Sequence, residues 1–163
     1  MEASEQQKFM ESDECLLLNE SDEIVGHSNK YTCHKGDGLL HRAFSVLLFD
    51  LSEPGNAKLL LQKRSRHKIT FPMLWTNTCC SHPLDVPAER DGAEGVKHAA
   101  IRKLGHELGI AESQVPIEKF HFLTRLRYSA KSDSIWSENE SKFDSLRISN
   151  AIKRIFFIPI LLF

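Results

Sequence analysis

Ala93-Glu-Gly-Val-Lys-His-Ala-Ala-Ile-Arg-Lys-Leu-Gly-His-Glu-Leu-Gly109 places apolar side chains at Val96, Ala99, Ala100, Leu104 and Leu108, steps of three and four residues that a helix gathers on one face. Lys97, Arg102, Lys103 and His106 fall mostly between them, and Gly109 is suited to the left-handed conformation that closes a helix. Ahead of this helix, Ala43-Phe-Ser-Val-Leu-Leu-Phe49 and Leu59-Leu-Leu61 read as central strands separated by the turn Glu53-Pro-Gly-Asn56. Cys15 to Leu18 and Ile24-Val-Gly26 read as a hairpin around the polar Asn19-Glu-Ser-Asp-Glu23. Beyond the helix, Phe120 to Tyr128 reads as a further strand leading toward Glu138. Strands on both sides of an amphipathic helix, in 163 residues, describe one α/β domain.

Composition narrows the partners. The chain is 41% hydrophobic and 26% charged, enough for one core, and its formal net charge of -1 gives no global field to recruit nucleic acid or an anionic membrane. Cys15, Cys33, Cys79 and Cys80 show no paired framework spacing, so a reducing intracellular compartment is expected. The opening MEASEQQKFMESDE has neither the apolar stretch nor the arginines of a targeting segment, and residues 1–13 are expected to be a disordered tail. The apolar run Arg154-Ile-Phe-Phe-Ile-Pro-Ile-Leu-Leu-Phe163 falls short of the about 20 residues that span a bilayer.

The chemistry-bearing residues are dispersed. His34 and His41 flank a segment with two glycines whose turns can return both imidazoles to one ion. Cys80 and His82 stand two apart before Pro83, so in an extended segment both face one cavity. Cys79 reads as a buried hydrophobe. Glu138 and Glu140, also two apart, share a face of a strand and repel unless a cation or a shared proton intervenes. Imidazole and carboxylate together suit Mg²⁺, Mn²⁺ or Zn²⁺. Lys30, Arg64, Lys68 and Lys103 are candidates for clamping a diphosphate, whereas Lys63 and Arg66 read as solvated.

The end of the helix, Arg102-Lys-Leu-Gly-His-Glu107-Leu-Gly109-Ile110, resembles the end of a Nudix box, but Lys103 and His106 stand where that motif has acids and Ala88 where it has glycine. Glu107 remains. Together with Lys30-Tyr-Thr-Cys-His34, Leu40-His41-Arg-Ala-Phe-Ser, Leu59-Leu-Leu-Gln-Lys-Arg64-Ser, Thr76-Asn-Thr-Cys-Cys-Ser-His-Pro83 and Glu138-Asn-Glu140, it makes the chain resemble type I isopentenyl-diphosphate delta-isomerases from about Glu14 to Glu140.

That resemblance implies a Nudix-like α/β/α sandwich with a mixed sheet and an enzyme that converts isopentenyl diphosphate to dimethylallyl diphosphate. It implies a metal held by His34, His41, His82, Glu138 and Glu140, and a Mg²⁺ ion carried by Glu107 to the substrate diphosphate. Mg²⁺ is expected at the first site too, with Mn²⁺ or Zn²⁺ as alternatives. Lys30, Arg64, Lys68 and Lys103 fall on diphosphate-binding positions, and Cys80, Glu140 and Tyr128 on catalytic ones. Trp75 or Trp136 offers a π-face to a cationic intermediate. A monomeric, cytoplasmic enzyme follows, with a peroxisomal location as the alternative.

The resemblance ends after Glu140, so the chain is expected to be C-terminally truncated, with domain 14–140 followed by a divergent tail 141–163 that leaves the Glu138–Glu140 strand unsupported. Three other readings stay open: an inactive truncated isoform, a zinc-stabilised binding module on Cys33, His34, Cys80 and His82, and a Nudix diphosphate hydrolase.

Overall fold

A computed structural model describes residues 3–148. In chain order the elements are α1 (Ala3–Ser12), β1 (Glu14–Leu18), β2 (Ile24–Asn29), α2 (Lys30–His34), β3 (His41–Asp50), β4 (Lys58–Leu59), β5 (Gln62–Lys63), β6 (Trp75–Thr76), β7 (Cys79–Ser81), α3 (Gly92–Leu108), β8 (Phe120–Lys131) and β9 (Ser137–Ile148). The sheet is mixed. Its order is β2-β1-β3-β9-β8, with β4 and β7 also on β3. Among the described residues only the β3–β9 pairing is parallel, with His41 opposite Glu140.

Strand β3 is buried along nearly its whole length, as a continuous apolar run demands of a strand covered on both faces. One of its edges is taken by β9; the other is divided among β1 at His41, β7 at Phe44 to Val46 and β4 at Phe49 and Asp50. The β1–β2 hairpin forms as expected. Asn19 closes its turn by accepting the Ser21 and Glu23 N–H groups at 3.0 and 2.9 Å.

Helix α3 ends at Gly109, whose φ of 67° is the left-handed closure read from the sequence. Its Val96, Ala99, Ala100 and Leu104 pack on Phe44, Val46, Cys79 and Phe143 from one face of the sheet. Cys79 is therefore the core residue expected of it.

Three expectations need correction. Residues Ala3–Ser12 form a helix, because Gln6 and Met10, four apart, make a stripe that buries against the rest of the chain, while Phe9 meets the His106 ring edge-on at 5.0 Å. The run Leu59–Leu61 supplies only a two-residue strand, and all three leucines are exposed. β1 and β7 already occupy the remainder of that edge of β3. Lastly, β9 continues through residues 141–148 and is paired on both sides, with β3 and β8, so the strand bearing Glu138 and Glu140 is supported. The rest of the expected tail, 149–163, lies outside the described residues.

Gly95 gives a test with a sign. A Cβ there would sit 2.5 Å from the Glu89 carbonyl carbon and oxygen, which are backbone and cannot swing aside. Glycine to alanine inside a helix ordinarily stabilises by about 1 kcal/mol. Gly95→Ala is expected to lower the urea midpoint instead, while Gly105→Ala, whose Cβ would meet nothing nearer than 3.5 Å, is expected to raise it. Equal midpoints for the two variants would contradict this packing.

Candidate active site

Alternation along four strands sends one set of side chains to the face opposite α3. From β3 come His41, Ser45 and Leu47, from β7 Cys80, from β9 Glu138, Glu140 and Lys142, and from β8 Leu126, Tyr128 and Ala130. His82 follows Cys80 by two residues and shares its face. Except for His41, which is fully buried, these residues line one cavity of about 590 Å³, roofed in part by Gln6 and Met10 of α1.

The intervening β9 residues serve another purpose. Ser137 Oγ donates to the Gly36 carbonyl at 2.7 Å and Asn139 Nδ2 to the Gly38 carbonyl at 3.2 Å, tying down the loop between His34 and His41. Gly38 has φ of 73°, and a Cβ would lie 3.0 Å from Ser137 Oγ, so this close approach requires glycine. Asn29 caps α2 by accepting the Thr32 N–H at 2.8 Å, which sets the short helix that ends on His34.

The three imidazoles form a near-equilateral group, with ring centroids 4.7, 4.9 and 4.8 Å apart. His34 Nδ1 donates to the Lys30 carbonyl and His41 Nδ1 to the Leu39 carbonyl, both at 2.7 Å. Their Nε2 lone pairs are thereby turned toward the cluster. His82 Nε2 lies 3.0 Å from Glu140 Oε1. Burial lowers the pKa of all three, His34 to about 4, so they are neutral and able to ligate at pH 7.

Among the described residues, donor atoms of His34, His41, His82 and Glu140 all lie within 4.8 Å of one another. His41 Nε2 is buried without a hydrogen-bond partner, an atom whose lone pair a cation would satisfy. This donor set fits a metal ion.

Glu138 stands outside that tight group. It accepts hydrogen bonds from Tyr128 and, at 3.1 Å, from Thr70 Oγ1. The Tyr128 hydroxyl also lies 2.8 Å from Glu140 Oε2, so one phenol bridges the two carboxylates. Burial and both carboxylates push its pKa up, which keeps the proton on the phenol. Burial alone would raise the pKa of Glu140, but Lys142, the His82 hydrogen bond and the neighbouring imidazoles outweigh it and hold the group well below the carboxylate range.

Lys30, Arg64 and Lys68 line the same cavity. Arg64 nevertheless spends much of its guanidinium within the protein, on the Thr70 and Phe71 carbonyls and on Cys80 Sγ at 3.6 Å. Glu107 and Lys103 lie apart from that cavity. Glu107 opens on an adjoining hollow of about 320 Å³ shared with Arg64, Lys68 and Cys80. Its carboxylate pairs with Lys68 at 3.2 Å and Lys103 at 3.3 Å. Burial would raise its pKa, but the two ammonium groups bring it down to about 2.

Lys63 and Arg66 are solvated, as read. Trp75 is no core residue: it is 68% exposed at the cavity mouth. Trp136 instead packs edge-on against Tyr31 at 5.1 Å. Thr70, Gln6 and Met10 are cavity residues that sequence reasoning missed; the four-residue spacing of Gln6 and Met10 was the only available signal.

Residues 39–156 match the NUDIX domain, and the chain belongs to that family. The likeness to isopentenyl-diphosphate isomerases is borne out. The chain is 51% identical over 145 residues to isopentenyl-diphosphate delta-isomerase IDI1 of Gibberella zeae, covering 83% of this chain and 56% of that one. It is 50% identical over 142 residues to isopentenyl-diphosphate Delta-isomerase II, chloroplastic, of Arabidopsis thaliana, covering 83% and 49%. The chain spans about half the length of the curated relatives it matches. The crystal structure of DR0079 from Deinococcus radiodurans has a similar fold, with a TM-score of 0.52 at 16% identity over 85% of this chain and 77% of that one. No helix among the described residues is long and apolar enough to cross a membrane.

The depressed histidines predict how metal-free protein responds to acid. Between pH 6.5 and about 4 the unfolded chain binds protons that folded His34 refuses, so stability rises with pH across that window and falls as pH is lowered through it. His34 alone accounts for a loss on the order of 3 kcal/mol, at about 1.4 kcal/mol per pKa unit. Urea midpoints measured from pH 7 to 4 are expected to drop steeply in the parent and less in His34→Asn. Parallel slopes would contradict a neutral, buried His34.

Proposed function

We propose that this site binds isopentenyl diphosphate and moves its double bond to give dimethylallyl diphosphate. One observation carries the reading: Cys80 and Glu140 face a single cavity from strands on opposite sides of β3, with Lys30, Arg64 and Lys68 in the same wall. His82, two residues after Cys80 and on the same face, is the hydrogen-bond partner of Glu140.

The reaction adds a proton to the terminal CH₂ carbon and removes one from C2, through a tertiary carbocation-like state. The ionised Glu140 is fitted to take the C2 proton, and the Cys80 thiol to deliver the other. Tyr128 stays protonated, its one hydroxyl proton shared between Glu138 and Glu140.

Mg²⁺ is the ion we assign to His34, His41, His82 and Glu140, with Glu138 beside them and Mn²⁺ or Zn²⁺ as alternatives; when bound it supplies fixed positive charge that holds Glu140 ionised and oriented. Glu107 would carry the Mg²⁺ that meets the diphosphate, and Lys68 and Lys103, now paired with it, would share the phosphate charge with Lys30. The protein would act as a monomer in the cytoplasm.

Two other readings lose support from the same geometry. A Nudix hydrolase needs carboxylates around its metal, yet at Glu107 the nearby box position holds the Lys103 ammonium. A zinc module on Cys33 and Cys80 finds neither thiol in the tight donor group, and Cys33 Sγ donates to the Ser28 carbonyl at 3.5 Å.

Purified 1–163 incubated with isopentenyl diphosphate and Mg²⁺ is expected to yield dimethylallyl diphosphate, followed by proton NMR. Cys80→Ser and Glu140→Gln should each lower kcat by about 10²- to 10⁴-fold with KM little changed. A folded, metal-loaded chain without turnover would sink the proposal, and release of phosphate would point to the hydrolase.

A further inference from the structure

Thr70 lies between β5 and β6, is 8% exposed, and has no part in the chemistry above. Its hydroxyl donates to Glu138 Oε1 at 3.1 Å while accepting from Arg64 Nη2 at 3.2 Å. A guanidinium only donates, so the threonine proton is left for the carboxylate. Tyr128 holds the other oxygen of Glu138. The carboxylate is thus gripped from both sides, and a continuous chain of contacts runs from Cys80 through Arg64, Thr70, Glu138 and Tyr128 to Glu140.

The backbone is bent to make that grip. Phe71 and Met73 hold φ of 45° and 63°, conformations that cost non-glycine residues about 1–2 kcal/mol each. Arg64 retains the turn with main chain as well as side chain. Its N–H donates to the Leu74 carbonyl at 2.9 Å and its carbonyl accepts the Met73 N–H at 3.2 Å. On the other side, the Phe71 N–H donates to Ser132 Oγ at 2.9 Å. The held turn begins at Thr70, whose hydroxyl meets Glu138.

We propose that Thr70 is a positioning residue that aims the Glu138 carboxylate toward a metal ion at His34, His41, His82 and Glu140. It rests on the reading of that cluster as a metal site and extends it to a residue outside the donor group. A hydroxyl in this position acts by fixing the rotamer of a ligand, and loss of such a partner typically weakens metal affinity by 10- to 100-fold.

The test is a Co²⁺ titration of metal-free 1–163, read by visible absorption. Thr70→Val keeps the shape and removes the hydroxyl; Thr70→Ser keeps the hydroxyl. Thr70→Val is expected to bind Co²⁺ about 10-fold more weakly and Thr70→Ser within about twofold of the parent. In a Glu138→Gln background Thr70→Val should add nothing, because the two act through one carboxylate. If Thr70→Val does not fold, Thr70→Ala takes its place in both comparisons. Parental affinity in Thr70→Val, an equal loss in Thr70→Ser, or a full additional loss in the Glu138→Gln background would each overturn the proposal. The titration needs no turnover: a parent chain that binds Co²⁺ but does not isomerise would defeat the functional reading alone, and one that binds no Co²⁺ would defeat this one.

Discussion

The parallel pairing of β3 with β9 sets His41 directly opposite Glu140, and the rest of the site is built outward from that register. Because side chains alternate with a period of two, slipping β9 by one residue would turn Glu138 and Glu140 away from the cavity and bring Ser137, Asn139 and Ser141 in. The same slip would break the bonds by which Ser137 and Asn139 hold the His34–His41 loop. One register therefore governs both the carboxylates and two of the imidazoles. It is enforced from outside by Ser141, whose Oγ donates at 2.7 Å to Asp22, and by the buried Arg42, whose Nη2 lies 3.1 Å from the same carboxylate. Asp22 belongs to the β1–β2 turn, so a distant hairpin takes part in holding the central strands.

Around that frame the electrostatics are arranged in two unlike halves. The imidazole end is dry, with neutral rings and one ionised carboxylate, a setting in which a cation would satisfy the His41 lone pair. The other half is cationic: burial, together with Lys103 and Lys68, lowers the pKa of Lys30, whose carbonyl accepts from His34 and which therefore stands beside the imidazoles. Leu47, Leu74 and Trp75 add apolar surface to the same cavity.

Much of this was legible in the sequence, for identifiable reasons. Helical periodicity and a closing glycine made α3 readable. The two-residue spacings Cys80 to His82 and Glu138 to Glu140 made the shared faces readable, since strand geometry leaves no choice of side. The run Leu59–Leu61 misled because apolar character says nothing about whether an edge is vacant. Helix α1 escaped because only Gln6 and Met10 of a polar segment are buried, too sparse a pattern to register. Thr70 had no signature at all: its partner Glu138 is 68 residues away, and a threonine in a loop looks the same whether it aims a carboxylate or meets water. Glu138, expected as an equal ligand, stands outside the tight donor group, with its oxygens on Thr70 and Tyr128.

The neighbouring cysteines straddle the sheet, Cys79 donating to Glu107 on the helical side at 3.7 Å and Cys80 facing the cavity. Seen along the strand, they are a palindrome: a one-residue slip of β7 would still present a thiol to each side, and sulfur alone could not tell the two registers apart. The distinction has to be made by neighbours. Thr78 makes it, its Oγ1 accepting the Leu48 N–H at 2.9 Å and donating to the Leu60 carbonyl at 2.6 Å, and Asn77 seconds it by donating to the Val46 and Cys79 carbonyls. The chemical identity of Cys80 is thus defined less by its own side chain than by two amide-and-hydroxyl latches upstream that forbid its twin from taking its place.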